Sequence, residues 1–147
     1  MSLSDTVIVY LRNSGSPYAI VDSAKAVINS VTLTGSFKIF NAATGNYYIE
    51  IRHRNTIETW SSNAVSYTSL STINYNFSTA STQAFGSNQI QVDASPVRFA
   101  IYSGDVNQDG TIDLTDGSLI DNDAFNFASG YLPVSYTHLT LPTSDLV

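Results

Sequence analysis

Strict alternation is strongest over Tyr47–Arg54 (YYIEIRHR), where Tyr47, Ile49, Ile51 and His53 fall on one side and Tyr48, Glu50, Arg52 and Arg54 on the other. A period of two is that of a half-buried antiparallel strand. Just before it, Ser36–Asn41 (SFKIFN) places Phe37 and Ile39 on one face, and Ala42–Asn46 is a short Gly-containing turn. Together these predict a hairpin. Thr6–Asn13 (TVIVYLRN) is a β-branched, aromatic run closed by Asn-Ser-Gly-Ser-Pro and predicts the first strand. In Tyr18–Asn29 the run Ala24, Ala26, Val27 and Ile28 suits a helix, but Ala19–Val21 and Val31–Leu33 favour strands, and we read it as β. Thr56–Trp60, Ser71–Ser78 (with Ile73, Tyr75 and Phe77 on one face), part of Gln83–Val92, and Val97–Tyr102 add short strands. About six to eight short strands with turns between them predict a β-sandwich. Its expected core is Val7, Val9, Leu11, Phe37, Ile39, Tyr47, Ile49, Ile51, Trp60, Ile73, Tyr75, Phe77, Phe99 and Ile101.

Further on, Ile120, Ala124 and Phe127 recur at i, i+4 and i+7 and predict a helix over Thr115–Phe127. Asp116 falls in its first turn, where a carboxylate suits the helix dipole. Gly117 weakens the helix by about 1 kcal/mol relative to Ala. Gly130 and Pro133 mark its end.

Between the last strand and this helix lies Asp105–Asp116 (DVNQDGTIDLTD). Oxygen-bearing side chains occupy loop positions 1, 3, 5, 9 and 12 as Asp105, Asn107, Asp109, Asp113 and Asp116. Gly110 stands at position 6, where a calcium loop turns sharply, and Thr111 at position 7, where the backbone carbonyl is the ligand. Ile112 at position 8 is the apolar residue that ties such a loop to a neighbour. Ca2+ takes six to eight oxygens at about 2.3–2.6 Å, and this spacing can deliver them. Surface turns also favour Asp, Asn and Gly. What separates the two readings is the register of Thr111, Ile112, Asp113 and Asp116 behind the turn. The expected metal ligands are therefore Asp105, Asn107, Asp109, Thr111, Asp113 and Asp116, and the expected cofactor is Ca2+.

Asp at position 12 rather than Glu, followed by one helix and preceded by the strand-like Val97–Ser103, resembles the dockerin family. Dockerins carry two such loops, and here there is one. The likeness covers Gly104 to about Pro133, half of a type I-like dockerin repeat pair. The hairpin of Ser36–Arg54, with its Tyr-x-Ile-x-Ile strand, resembles the transthyretin-like and carboxypeptidase-regulatory-like sandwiches over about residues 5–100. A sandwich directly before a dockerin is similar to the X-module–dockerin pairs of cellulosome proteins. That resemblance implies a sandwich bracing an attachment module, and a cohesin-like protein partner.

Composition sharpens this picture. At 43% hydrophobic and 12% charged residues, the chain of 147 residues suits one or two small packed domains rather than disorder. Residues 1–104 carry about +1 and residues 105–147 carry −7, with no Lys or Arg after Arg98. The acidity thus belongs to the loop and its helix, where like charges repel and a cation is the simplest remedy. No basic footprint points to nucleic acid. The absence of cysteine excludes disulfides and thiolate metal sites. The longest apolar run is Val7–Leu11, so membrane insertion is not expected. Met1–Thr6 is no signal peptide, so secretion implies a signal upstream of this fragment.

Catalytic constellations are lacking. His53 reads as a hydrogen-bonded structural residue, and His138 lies in the tail. No G-x-S-x-G or Gly-rich phosphate loop is present. Asp121 and Asp123 read as a solvated helix face. Tyr10, Tyr48 and Tyr67 could stack on sugar rings, although strand tyrosines usually pack. Val134–Thr143 (VSYTHLTLPT) resembles the translation of a sequencing-library adaptor, so the native chain is expected to continue past Pro133 into a second loop.

The expected organisation is an Ig-like or transthyretin-like antiparallel β-sandwich at 1–103, a dockerin-like loop plus helix at 104–133, and a non-native tail at 134–147. The expected function is a non-catalytic, calcium-binding attachment module of a secreted modular bacterial protein. The alternative is a carbohydrate-binding accessory module stapled by calcium, with polysaccharide as partner.

Overall fold

The computed structural model describes residues 5–125, apart from the side chains of Asp123 and Ala124. The tail at 134–147, the helix stop at Gly130 and Pro133, Ala124 and Phe127 of the apolar stripe, and His138 lie outside what is described. The fold is mostly β, with antiparallel sheets and one helix.

Described residues fall into two units, 5–53 with 58–102, and 54–57 with 103–125. The larger unit contains β1 (Asp5–Asn13), β2 (Ile20–Ile28), β3 (Gly45–Arg52), β4 (Thr59–Trp60), β5 (Val65–Tyr67), β6 (Ile90–Ala94) and β7 (Val97–Ala100). Its main sheet runs β2-β1-β3-β4, with β5 also pairing β3, and β6 and β7 form a separate ribbon. Register sets the faces. Val9 lies opposite Ile51 and Leu11 opposite Ile49, so these four share one side of the sheet. Val9, Leu11, Ala42, Tyr47, Ile49 and Tyr67 make the buried cluster there. The Tyr47 and Tyr67 rings meet edge to face at 6.3 Å, and the Tyr47 hydroxyl donates to the Ala43 carbonyl at 3.0 Å.

The layer over this face differs from the expected one. Ser36–Asn41 and Ser71–Ser78 were expected as strands, yet neither joins a ladder. Phe37, Ile39, Ile73, Tyr75 and Phe77 nevertheless pack against the buried cluster. These segments keep a strand's alternation because one side is covered, but their backbones find other partners. The Phe40 and Asn41 amides donate to Asp22 Oδ2 at 2.9 and 2.7 Å. The Tyr75 hydroxyl donates to the Gln83 carbonyl at 2.6 Å, and the Phe99 amide donates to the Ser78 carbonyl at 2.9 Å.

The opposite face also departs from expectation. Glu50 alternates with the core residues and belongs by pattern to a solvent face, but it is completely buried. Arg12 and Arg52, from the same side of the sheet, each pair with it. Arg12 then lies 5.1 Å over the Trp60 ring and Arg52 lies 5.5 Å over Tyr10, so apolar stems and aromatic rings roof the carboxylate. Trp60 was expected in the main core. It pairs with Glu50 while Thr59 pairs with Ile51, so Thr59 turns inward and Trp60 joins the arginine face. Tyr67, expected among the exposed tyrosines, is buried. His53 Nε2 lies 2.7 Å from Asp5 Oδ2.

Two outcomes follow from this unit. Glu50→Ala leaves two arginines without the buried carboxylate between them, which should cost about 2–3 kcal/mol in urea unfolding, less than for a fully buried pair because Arg52 is partly in water. A loss under about 1 kcal/mol would show that the triad is dispensable. Asp22 is held below the usual carboxylate range, first by the Asn41 amide against the opposing effect of burial, with the Phe40 and Ser23 amides adding to the lowering. A depressed folded pKa contributes stability above the unfolded value of about 3.9, lost as pH falls through the lower folded value. The Phe40 and Asn41 amide shifts should therefore titrate together, with a midpoint below about 3.9. A midpoint at or above it would contradict the assignment.

Candidate functional site

The smaller unit is built around the turn from Ser103 to the helix α1 (Leu114–Phe125). Its first support is a segment remote in sequence. Thr56 bridges to Ser103 in antiparallel fashion, and the Gly104 amide donates to the Asn55 carbonyl at 2.6 Å. Gly104 has φ +123, and a Cβ there would sit 3.3 Å from Ile112 Cγ2. Glycine is favoured by this left-handed backbone, and Ile112 packs closely against it. Ile112 itself remains 43% exposed.

Two buried carboxylates hold the loop closed. Asp105 and Asp116 are each 2% exposed. Asp105 accepts the Asp109 amide on Oδ1 at 3.1 Å and the Gly110 amide on Oδ2 at 3.0 Å. Gly110 meets that second oxygen because its φ is +88, a conformation natural to glycine. Asp116 accepts the Val106 and Asn107 amides on Oδ1 at 2.7 and 3.2 Å, and the Asp113 amide on Oδ2 at 3.0 Å. From the first turn of α1 it thus reaches back to both ends of the loop. The Asp113 amide is the largest influence holding the Asp116 carboxyl below its usual range, against burial, and the Asn107 and Val106 amides add to it.

The remaining candidate ligands lie at the exposed rim. Asn107 Oδ1 accepts the Asp109 amide at 2.9 Å, while Asn107 Nδ2 donates to Asp109 Oδ2 at 2.7 Å. Asp109 Oδ1 accepts the Thr111 amide and Asp113 Oδ1 accepts the Thr115 amide, at 2.9 and 2.8 Å. Gln108 adopts φ +63, and its side-chain amide donates to the Asp105 carbonyl at 3.3 Å.

The six candidate ligands therefore occupy one loop. Among the described residues, no three carboxylate or imidazole groups are gathered closely enough to hold an ion as they stand. Five backbone amides donate to the carboxylates buried at Asp105 and Asp116. The candidate ligand set, all oxygen around a glycine turn, fits a hard divalent cation. What the sequence did not reveal is the part played by Asn55 and Thr56, because a pairing across some fifty residues leaves no local pattern.

The helix begins one residue before the expected Thr115. Leu114 and Phe125 are 84% and 83% exposed, and Ile120 is half-buried. Among the described residues no helix is long and apolar enough to cross a membrane. No family model, curated protein or solved structure matches the chain.

Asp116→Ala removes the acceptor of three amides at once. Hydrogen exchange at Val106, Asn107 and Asp113 should accelerate together, while the amides of β1 and β3 keep wild-type protection. Unchanged exchange at those three amides would show that other contacts hold the loop.

Proposed function

We propose that the smaller unit is a dockerin-like calcium loop and helix, and that the protein is a calcium-dependent, non-catalytic attachment module of a secreted modular protein. The observation that carries this reading is the pair of buried carboxylates, Asp105 and Asp116, bracketing a glycine turn and gathering five backbone amides. A buried carboxylate held by backbone dipoles gains further from a cation at the same place. Asp105, Asn107, Asp109 and Asp113 would supply side-chain oxygens, Thr111 its carbonyl, and Asp116 the closing carboxylate.

In this reading the larger unit is a sandwich-type brace, its sheet covered on one side by extended segments. The attachment face belongs to α1, whose Leu114 and Phe125 stand in water. The partner we propose is a cohesin-like protein module, following the resemblance of the loop and helix to a dockerin half. Calcium ordering of the loop would then switch the helix into its binding form.

Calorimetric titration of the full chain should show one calcium site, and calcium at about a hundred times its Kd should stabilise the loop–helix by about 2.7 kcal/mol. Asp105→Ala and Asp116→Ala should each abolish the heat. Magnesium should compete weakly, because it demands near-octahedral geometry and sheds water reluctantly. Equal binding by wild type and both variants, or no calcium binding at all, would remove this reading.

A further inference from the structure

The arginine face of the larger unit carries a cleft of about 410 Å³ lined by Tyr18, Tyr48, Glu58, Trp60, Phe85 and Asn88. That volume lies within the range of about 300–1,000 Å³ common for small-molecule sites. Tyr48 and Trp60 come from adjacent strands β3 and β4, and Tyr18 comes from the turn between β1 and β2. Their rings form one continuous aromatic wall. Tyr18 meets Tyr48 at 6.0 Å and Trp60 at 6.2 Å, both edge to face, and Tyr48 meets Trp60 at 6.0 Å. Phe85 adds a ring that is 65% exposed.

The wall is held in place. Tyr18 has φ +56, which an aromatic residue keeps only where its surroundings impose it. Its amide donates to the Gly15 carbonyl at 2.8 Å, and its carbonyl accepts Arg12 Nη1 at 3.3 Å. At the rim, Glu58 Oε1 accepts the Trp60 indole N–H at 3.2 Å and Glu58 Oε2 accepts Arg52 Nη2 at 2.6 Å.

We propose that this cleft binds a pyranose ring of a neutral polysaccharide. A pyranose with equatorial hydroxyls presents a flat face of axial C–H bonds, weakly positive and apolar. It fits the electron-rich faces of the aromatic rings. Its hydroxyls find acceptors and donors in Glu58 and Asn88 at the margin. Charge selects against the alternatives. Arg12 and Arg52 are balanced by Glu50 and Glu58, so the site offers no uncompensated charge to an ionic ligand. A quaternary ammonium needs rings spread around a gap and a bare carboxylate. Here the three rings close on one another, Arg12 already lies 5.1 Å over Trp60, and Arg52 neutralises Glu58.

All six lining residues belong to the larger unit, so the proposal does not rest on the calcium reading. Trp60 is the only tryptophan in the chain, which gives the site its own optical signal. The full chain is titrated with cellohexaose, xylohexaose and mannohexaose, with EGTA throughout, while tryptophan emission is recorded. Choline chloride serves as the cationic arm. At least one hexasaccharide should change the emission saturably. Phe85→Ala and Tyr18→Ala, checked for a wild-type unfolding midpoint, should each weaken that binding roughly tenfold, the worth of one aromatic contact. No response to any of the three sugars, wild-type affinity in both variants, or a response to choline alone would overturn the proposal.

Discussion

A carboxylate taken out of water must be compensated where it lies, and this protein meets that constraint in two ways. Glu50 is buried in the middle of β3 and is answered by two full charges, Arg12 and Arg52. Asp105 and Asp116 are buried at the ends of a short loop and are answered by five backbone amides. With Glu58 also on Arg52, two carboxylates balance two guanidiniums in the first arrangement. The second sets the partial positive charge of amide dipoles against two carboxylates, in a stretch of chain after Arg98 that holds no Lys or Arg.

Each solution shapes its surroundings. Around Glu50 the arginine stems and the rings of Tyr10 and Trp60 must cover the charge, so the second face of the sheet is aromatic rather than simply wet. The same coverage brings Trp60 beside Tyr48 and Tyr18 and creates the cleft. Around Asp105 and Asp116 the amides must converge, so the backbone turns through left-handed conformations at Gln108 and Gly110. Asp116 therefore has to sit at the start of α1, from which its carboxylate can reach Val106 and Asp113 at once.

Much of this was legible in the sequence, and the failures have physical causes. Alternation over Tyr47–Arg54 identified β3 and its inner face, because one side of that strand is buried in a hydrophobic cluster. The same alternation in Ser36–Asn41 and Ser71–Ser78 suggested strands. Alternation reports that one side is covered, whereas pairing depends on a neighbouring backbone, and the Phe40 and Asn41 amides go to Asp22 while the Ser71 and Ser78 amides close local turns. Glu50 looked solvated because sequence shows a charge but not its counter-charges. Trp60 was placed in the wrong layer because its side is fixed by register against Glu50, a non-local fact. The loop was readable because its oxygens, its glycine and Asp116 lie within one local turn. Its support by Asn55 and Thr56 was not.

The most direct test of the account concerns where a cation goes. Carboxyl-carbon NMR of the uniformly labelled full chain, recorded as calcium is added to chelator-treated protein, reports every acid separately. The account predicts that Asp105, Asp109, Asp113 and Asp116 shift together at one equivalent, accompanied by the Gly110 amide, while Glu50 and Asp22 stay fixed. Shifts absent from the loop, or spread evenly over all exposed acids, would contradict it.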